Sequence, residues 1–148
     1  MLTRIRIFIA FIGCTFLVLG SYAVQNKTCI ECICERETGC QPTECKVNAN
    51  GNTTCGWFQI DLAYYVECGQ PDIRPGEKIE NGWKRCADDY RCASQCVQHY
   101  VNKFKSKCEG FTECERMVRI HNGGPRGCMK RNTLPYWNYI YDFCFLRP

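Results

Sequence analysis

The sequence predicts one mostly helical domain with a small β-hairpin, cross-linked by disulfides. Fifteen of its 148 residues are cysteine, a content typical of exported domains because cytosolic thiols are kept reduced. Apolar residues recur at spacings of three and four between Cys86 and Cys108, which indicates a helix. Asn50-Gly51, flanked by β-forming segments, is a strong hairpin signal. The length suits a single compact domain.

The N-terminus predicts export. Arg4 and Arg6 precede an apolar run over 7–19, and Ser21-Tyr22-Ala23 offers small residues for cleavage. The run is short for a membrane anchor, the competing interpretation, because a bilayer span needs about 20 apolar residues. We therefore expect a cleaved signal peptide over 1–23 and a secreted, extracellular domain over 24–148, with no membrane span in the mature protein.

The cysteines of that domain are expected to form disulfides. Cleavage would remove Cys14 and leave 14 of the 15, an even number. Cys29-x2-Cys32 and Cys92-x3-Cys96 have spacings that zinc sites use, but only His99 and His121 could add nitrogen ligands, and they are not closely spaced. We predict seven disulfides and no metal, and the pairing stays open. The cysteines are Cys29, Cys32, Cys34, Cys40, Cys45, Cys55, Cys68, Cys86, Cys92, Cys96, Cys108, Cys114, Cys128 and Cys144.

The charge argues against nucleic acid as a partner. Without Arg4 and Arg6 the domain has 17 basic and 15 acidic residues, a net charge of +2, which is weak for a nucleic-acid-binding protein. The sequence has no glycine-rich phosphate loop, nucleophile elbow or internal repeat, and no cofactor is predicted.

Glu37 is the candidate catalytic acid. Thr28 and Glu31 form a capping box that starts a helix near Cys29, and Gly39 is suited to the left-handed residue that ends it. Glu37 then falls in the last turn, where the helix dipole penalises its charge, and a raised pKa is expected. A carboxylic acid protonated at neutral pH can protonate a leaving glycosidic oxygen. The alternative is a solvated surface glutamate.

The remaining segments predict a hairpin followed by helices. Strands are expected at 46–47 and within 53–60, apolar character continues over 62–66, and 71–82 is expected to be an exposed polar loop. The clearest helix is predicted over 86–108, a shorter one over 113–120, and the last from about residue 132.

Three features of these segments need an interpretation. His121 follows the shorter helix on a glycine-rich loop and is either a structural cap or a ligand contact. Tyr136 and the other aromatic residues of the last helix are interpreted as core. Asn26 and Asn52 each begin a glycosylation sequon, which implies surface exposure where it is used.

Motifs spread over most of the domain carry a family resemblance. They are CxxCxCxxExGC at 29–40, CGWFQI at 55–60, YY…ECGQP at 64–71, the cysteine-containing helix at 86–108 and HNGGPRGC at 121–128. In this order they resemble the invertebrate-type (i-type, destabilase-like) lysozymes, and the loop after residue 68 is most similar to nematode members.

The resemblance implies a small α+β lysozyme-like fold with a cleft between helices and a small sheet. It also implies hydrolysis of the β-1,4 bond between N-acetylmuramic acid and N-acetylglucosamine in bacterial peptidoglycan, for defence or digestion. We expect a monomer. Glu37 matches the family's proton donor. The positions that match its substrate contacts are Asp61, Leu62, Ala63, Tyr64, Tyr65, Val66, Glu67, Tyr100, His121, Asn122 and Gly123.

The chain departs from the family at its second carboxylate, an Asp that a retaining mechanism requires about 5 Å from the acid. Counting from Cys45 places Asn48 there, and counting back from Gly51 places Ala49 there; no Asp or Glu occurs over 45–60. Three compensations stay open: Glu44 or Asp61 could approach the cleft, Glu37 could work with a positioned water as in goose-type relatives, or the Asn50-Gly51 dipeptide could deamidate.

The missing Asp also leaves other functions open. A lectin-like protein would bind peptidoglycan without cutting it, and a disulfide-rich structural or inhibitor protein would leave the Glu37 motif unexplained. The isopeptidase activity of some relatives is attributed to Ser and Lys near this hairpin. Thr54 and Asp61 stand at those positions, so this activity is not expected.

Overall fold

A computed structural model describes residues 27–146; the predicted signal peptide, Cys14 and the Asn26 sequon lie outside the described residues. The helices are Cys29–Thr38 (α1), Leu62–Glu67 (α2), Ile79–Asp88 (α3), Tyr90–Phe104 (α4), Glu113–Gly123 (α5) and Leu134–Tyr141 (α6). The strands are Lys46–Val47 (β1), Thr53–Cys55 (β2) and Ile60–Asp61 (β3), which form an antiparallel sheet in the order β1-β2-β3. Helices thus predominate over a small sheet, which confirms the α+β class.

Helix α1 begins and ends where its capping residues predict. The backbone N–H and the hydroxyl of Thr28 both donate to Glu31 Oε2, at 2.6 and 2.8 Å. Gly39 adopts the left-handed conformation with φ 66°, which costs little without a Cβ. Its N–H donates to the Glu35 carbonyl at 2.9 Å and ends the helix. Glu37 therefore lies in the last turn, as predicted.

The hairpin forms at Asn50-Gly51 and fixes which side chains share a face of the sheet. Lys46 is paired with Thr54, and Thr54 is paired in turn with Asp61. Directly paired residues of an antiparallel sheet point to the same face. The side chains of Lys46, Thr54 and Asp61 therefore form one row across all three strands.

The helices depart from the expectations of the sequence in three places. Residues 62–66 continue the apolar pattern but form helix α2, because Asp61 accepts the Tyr64 N–H at 2.7 Å and caps it. The proposed loop at 71–82 ends early, since α3 begins at Ile79. The predicted helix over 86–108 is also two helices: Asp89 adopts an extended conformation and caps α4 by accepting the Cys92 N–H at 2.7 Å.

Helix α5 is longer than predicted. It runs three residues past Ile120 to Gly123, and Gly124 follows with φ 80°. His121 therefore lies in the last turn of a helix and not on a loop. This difference matters, because a helical position fixes the direction of the imidazole toward the cleft described below.

All 14 cysteines of the described chain are paired, which confirms the disulfide prediction. The bonds are Cys29–Cys114, Cys32–Cys144, Cys34–Cys40, Cys45–Cys55, Cys68–Cys96, Cys86–Cys92 and Cys108–Cys128. Three of them hold α1: one joins it to α5, one to the C-terminal turn, and one closes its own end. The helix that carries Glu37 is thereby fixed to distant parts of the chain.

The sheet is joined to the helices mainly through α3. The Trp57 N–H donates to the Ala87 carbonyl at 3.2 Å, and Trp83 Nε1 donates to the Ile60 carbonyl at 3.1 Å. Gly56 has φ 68°, and a Cβ there would lie 1.8 Å from the Ala87 carbonyl oxygen. Only glycine permits this approach. Within residues 27–146, no helix is long and apolar enough to cross a membrane.

Candidate active site

A cleft of about 400 Å³ opens between the end of α1, the sheet, the start of α2 and the end of α5. Its lining is almost entirely polar, with one cation, two carboxylates, several amides, one tyrosine and one imidazole. The lining residues are Glu37, Lys46, Asn48, Asn50, Asn52, Thr54, Gln59, Asp61, Tyr64, His121 and Asn122. The lining therefore suits a ligand that is rich in hydroxyl and amide groups.

Glu37 is held in the cleft by two side chains from other helices. The Tyr136 hydroxyl donates to Glu37 Oε1 at 2.5 Å. His121 Nε2 lies 3.6 Å from the same oxygen, and the side chain of Glu37 is about one-fifth exposed. A half-buried carboxylate with one fixed donor and one neighbouring imidazole is positioned, unlike a solvated surface glutamate.

His121 is itself oriented by a tyrosine. Its Nδ1 is hydrogen-bonded to the Tyr64 hydroxyl at 3.2 Å. The Tyr64 ring stacks on the buried ring of Tyr100, with centroids 3.7 Å apart and planes 17° from parallel. Tyr100 thus supports Tyr64, Tyr64 holds His121, and His121 faces Glu37.

The pKa of Glu37 differs from its prediction. Burial acts to raise it, but the interactions with His121, the hydrogen bond from Tyr136 and the charge of Arg36 outweigh burial. The pKa of Glu37 is therefore lowered from the ordinary value of 4.5. The prediction of a raised pKa was wrong because it considered only the helix that carries Glu37, whereas His121 and Tyr136 come from α5 and α6.

The tyrosines beside Glu37 stay neutral. Burial raises the pKa of Tyr64 well above its usual range, and the neighbouring Tyr100 and the charges of Asp61 and Glu37 raise it further. Burial and the nearby Glu37 charge likewise raise the pKa of Tyr136. Both hydroxyls therefore remain hydrogen-bond donors at any physiological pH.

Asn48 lies in the cleft but its amide oxygen is already used. Asn48 Oδ1 accepts the backbone N–H groups of Asn50 and Asn52, each at 3.0 Å. These bonds hold the hairpin turn, as a short polar side chain does in an Asx turn. The side chain of Asn48 is therefore a neutral turn-former.

One face of the sheet forms the floor of the cleft, which we define as Lys46, Asn48, Asn52, Thr54 and Asp61. These residues alternate along β1 and β2 with Val47 and Thr53, as side chains do in a strand. On the opposite face Cys55 and Ile60 are buried in the core. The sheet thus presents a polar floor to the cleft and an apolar face to the helices.

The structure brings together six of the residues proposed from the sequence. Glu37, Asn48, Asp61, Tyr64, His121 and Asn122 all line the cleft. Because 61–67 is helical beyond its first residue, only one side of it can face the cleft. Tyr65 is buried and donates to the Pro71 carbonyl, and Glu67 pairs with Lys103 at the surface. Leu62, Ala63, Val66, Tyr100 and Gly123 also lie outside the lining.

Several residues of the site were not proposed from the sequence. Tyr136 was interpreted as core, but it is half-buried and contacts Glu37 across 99 positions of the chain. Lys46 and Gln59 were not proposed either. Lys46 could have been found from the hairpin register, whereas nothing local to Tyr136 indicates its partner.

Comparison with known proteins identifies the family. The chain matches the Destabilase family over residues 26–144. The chain belongs to the Destabilase family. Invertebrate-type lysozyme 2 of Caenorhabditis elegans is 44% identical over 136 residues, which covers 90% of this chain and 97% of that protein. Invertebrate-type lysozyme 6 of the same organism is 51% identical over 117 residues, covering 78% and 84% of the two chains.

Solved structures agree with this assignment to the Destabilase family. The lysozyme of Tapes japonica matches with a TM-score of 0.66 and 37% identity, over 76% of this chain and 85% of that one. Meretrix lusoria lysozyme in complex with PliI of Aeromonas hydrophila matches with a TM-score of 0.70 and 39% identity, over 81% and 93%. The family resemblance, the lysozyme-like fold and the class of lysozyme-type glycosidase are thereby confirmed.

Proposed function

We propose that this Destabilase family member hydrolyses the β-1,4 bond between N-acetylmuramic acid and N-acetylglucosamine in bacterial peptidoglycan. Glu37 is the general acid that protonates the leaving glycosidic oxygen. The observation that carries this proposal is the placement of Glu37: a half-buried carboxylate, held by Tyr136 and facing His121, in a polar cleft.

Substrate binding favours the protonated form of the Glu37 carboxyl group. In the free protein the lowered pKa keeps this carboxylate ionised at neutral pH. A saccharide that fills the cleft displaces water, and loss of water disfavours the charged form. Burial is already the largest influence on the pKa of Glu37, so further desolvation raises the pKa where the acid is needed.

The other lining residues bind the sugar. Asn50 and Asn122 offer amide groups to hydroxyl and N-acetyl groups, and Tyr64 offers an aromatic edge and a neutral hydroxyl. Asn52 is one proposed glycosylation site, and because it lies on the floor of the cleft, a glycan there would compete with the substrate for space. Asn26 is the second proposed glycosylation site.

We place this activity outside the cell, for defence or digestion. Seven disulfides suit an oxidising compartment. The proposed signal peptide over 1–23 would deliver the domain over 24–148 as a secreted monomer.

A peptidoglycan-binding protein without activity is the second candidate, and Asn48 favours it. A neutral amide whose oxygen accepts two backbone N–H groups cannot trap an oxocarbenium ion. In that case the cleft would bind the glycan without cleaving it, because Glu37 would have no second carboxylate to act with.

The deciding experiment measures release of muropeptides from purified peptidoglycan by the mature protein. Glu37→Gln is compared with Glu35→Gln, the same change two residues earlier on α1. Glu35 pairs with Lys27 at the surface. The hydrolase proposal expects fragments from the native protein and from Glu35→Gln. Glu37→Gln is expected to lose about 100- to 10,000-fold in rate, the contribution of general acid catalysis.

Each candidate has a distinct outcome. Equal rates for Glu37→Gln and Glu35→Gln would rule out Glu37 as the acid. A silent native protein that sediments with peptidoglycan, and gains activity as Asn48→Asp, would establish the binding candidate instead.

A further inference from the structure

Asp61 is the one remaining carboxylate in the cleft besides Glu37. Of the 11 lining residues, all within the described chain, only these two carry a carboxyl group. Glu44, the other carboxylate near the hairpin, is exposed and lies outside the lining. Any role for a second carboxylate therefore falls to Asp61.

The sheet register places Asp61 on the floor of the cleft. Asp61 is paired with Thr54, and Thr54 with Lys46, so the three side chains share the face that Asn48 also occupies. Asp61 lies on β3, whereas Asn48 follows β1, two strands away in the sheet. With neighbouring strands about 4.8 Å apart, that displacement is about 10 Å across the sheet. Asp61 does not restore the lost position; it adds a carboxylate at a new one.

One oxygen of Asp61 is held and the other is available. Oδ1 accepts the Tyr64 N–H at 2.7 Å, which fixes the carboxylate at the start of α2. A negative charge there is favoured by the helix dipole. Among the described residues, no hydrogen bond engages Oδ2. A carboxylate that is fixed through one oxygen and open through the other is suited to accept a proton from water.

The two carboxylates reach the cleft from different elements of the fold. Glu37 comes from the end of α1, and the Tyr64–His121 pair extends from the helix capped by Asp61 to a point 3.6 Å from Glu37 Oε1. The cavity of about 400 Å³ is many times the volume of one water, which is about 30 Å³. Separated carboxylates with a water between them are the arrangement of inverting glycosidases.

Resting on the proposed function, we propose that Asp61 is the catalytic base of an inverting hydrolysis. Asp61 removes a proton from a water as its oxygen attacks C1 of the N-acetylmuramic acid unit. The new C1–O bond forms on the face opposite the leaving group. The glycosidic C1–O bond breaks, and its oxygen takes the proton of Glu37. One water is consumed, Asp61 ends protonated and Glu37 ionised, and solvent returns the proton.

The test uses the mature protein and soluble, uncross-linked peptidoglycan glycan strands. Proton NMR identifies the anomer of the new reducing end in the first minutes, before mutarotation mixes the two. Inversion produces the α-anomer, and retention produces the β-anomer. Asp61→Asn removes the charge but keeps a good helix-capping side chain, and Glu44→Gln is its matched control on the exposed loop.

The inference expects the α-anomer from the native protein and a rate loss of about 100-fold or more for Asp61→Asn, the scale of general base catalysis. Glu44→Gln is expected to stay within about 2-fold of the native rate. Unchanged melting and peptidoglycan sedimentation of Asp61→Asn would show that the loss is chemical.

The outcomes separate the two proposals. A β-anomer, or native-like activity of Asp61→Asn while Glu37→Gln is inactive, would overturn the role of Asp61 and leave the hydrolase proposal intact. A native protein that releases no fragments would overturn both.

Discussion

Two parts of the cleft are built in different ways: the acid side, which we define as Glu37, Tyr136 and His121, and the floor. Glu37 is fixed by Tyr136, 99 positions away, and faces His121 from a third helix. On the floor, Asn48 and Asp61 are fixed by backbone N–H groups only two to four positions away. The acid side therefore depends on the assembled helices, and each floor residue depends mainly on its own turn or cap.

This difference predicts that the fold tolerates exchange of a floor residue better than exchange of Glu37. A side chain that only organises its own turn can be exchanged for another that makes the same bonds. An exchange at Glu37 would instead leave the Tyr136 hydroxyl without its acceptor. We therefore expect substitutions on the floor to cost less stability than a substitution that removes the Glu37 carboxylate.

Disrupting the contact between the sheet that forms the floor and α3 should have the largest effect. We expect Gly56→Ala to lower the free energy of unfolding by about 3 kcal/mol or more, because the added Cβ overlaps the Ala87 carbonyl oxygen and φ is positive. Gly51→Ala, also at positive φ but with nothing within 4 Å, should cost about 1 kcal/mol. Urea unfolding with the disulfides intact measures both values.

Similar losses at Gly56 and Gly51 would show that the contact with Ala87 does not hold the sheet against α3. The difference between the two variants is the relevant quantity, since both carry the strain of a left-handed alanine.

Substitutions of Asn48 test whether its side chain stabilises the hairpin turn on the floor. Asn48→Ala removes the acceptor of two backbone N–H groups and should lower the free energy of unfolding by about 1 kcal/mol. Asn48→Asp keeps an acceptor oxygen in place and should change stability by less than about 0.5 kcal/mol. The same urea titration tests both variants, and an Asp as costly as the Ala would mean that the turn requires the amide itself.

The sequence could predict what short motifs encode. The capping residues of α1 placed Glu37 in a last turn, and Asn50-Gly51 placed the hairpin, because caps and turns depend on neighbouring residues. The 14 cysteines predicted the disulfides but not their partners. Periodicity alone did not reveal that α4 begins after Asp89, because apolar spacing continues on both sides of the break.

What the sequence could not predict comes from contacts between distant segments. Tyr136 looks like any aromatic residue of a core helix, and only the packing of α6 against α1 directs its hydroxyl to Glu37. Contacts from distant segments, first His121 of α5 and then Tyr136 of α6, reversed the expected direction of the Glu37 pKa. The position of Asp61 on the floor likewise follows from the register of three strands.

Removing the distant partners of Glu37 should produce the smallest effect, a shift in pH dependence. His121 and Tyr136 both lower the pKa of Glu37, so Tyr136→Phe and His121→Gln should each raise it. The protonated acid then persists to higher pH, and the decline of kcat/KM with rising pH should move upward. His121 exerts the larger influence, so His121→Gln should shift the profile further than Tyr136→Phe.

Stability should follow the same sign. Because the folded pKa of Glu37 lies below the ordinary 4.5, its ionised form stabilises the fold above that pH, and this contribution is lost as pH falls through the folded pKa. Tyr136→Phe should therefore reduce the acid-dependent part of the unfolding free energy. Carbon-13 NMR titration of the Glu37 carboxyl measures the pKa directly, with Tyr141→Phe, an exposed tyrosine of α6, as the control. A pKa that falls in Tyr136→Phe, or rises equally in Tyr141→Phe, would show that the acid side is not held through α6.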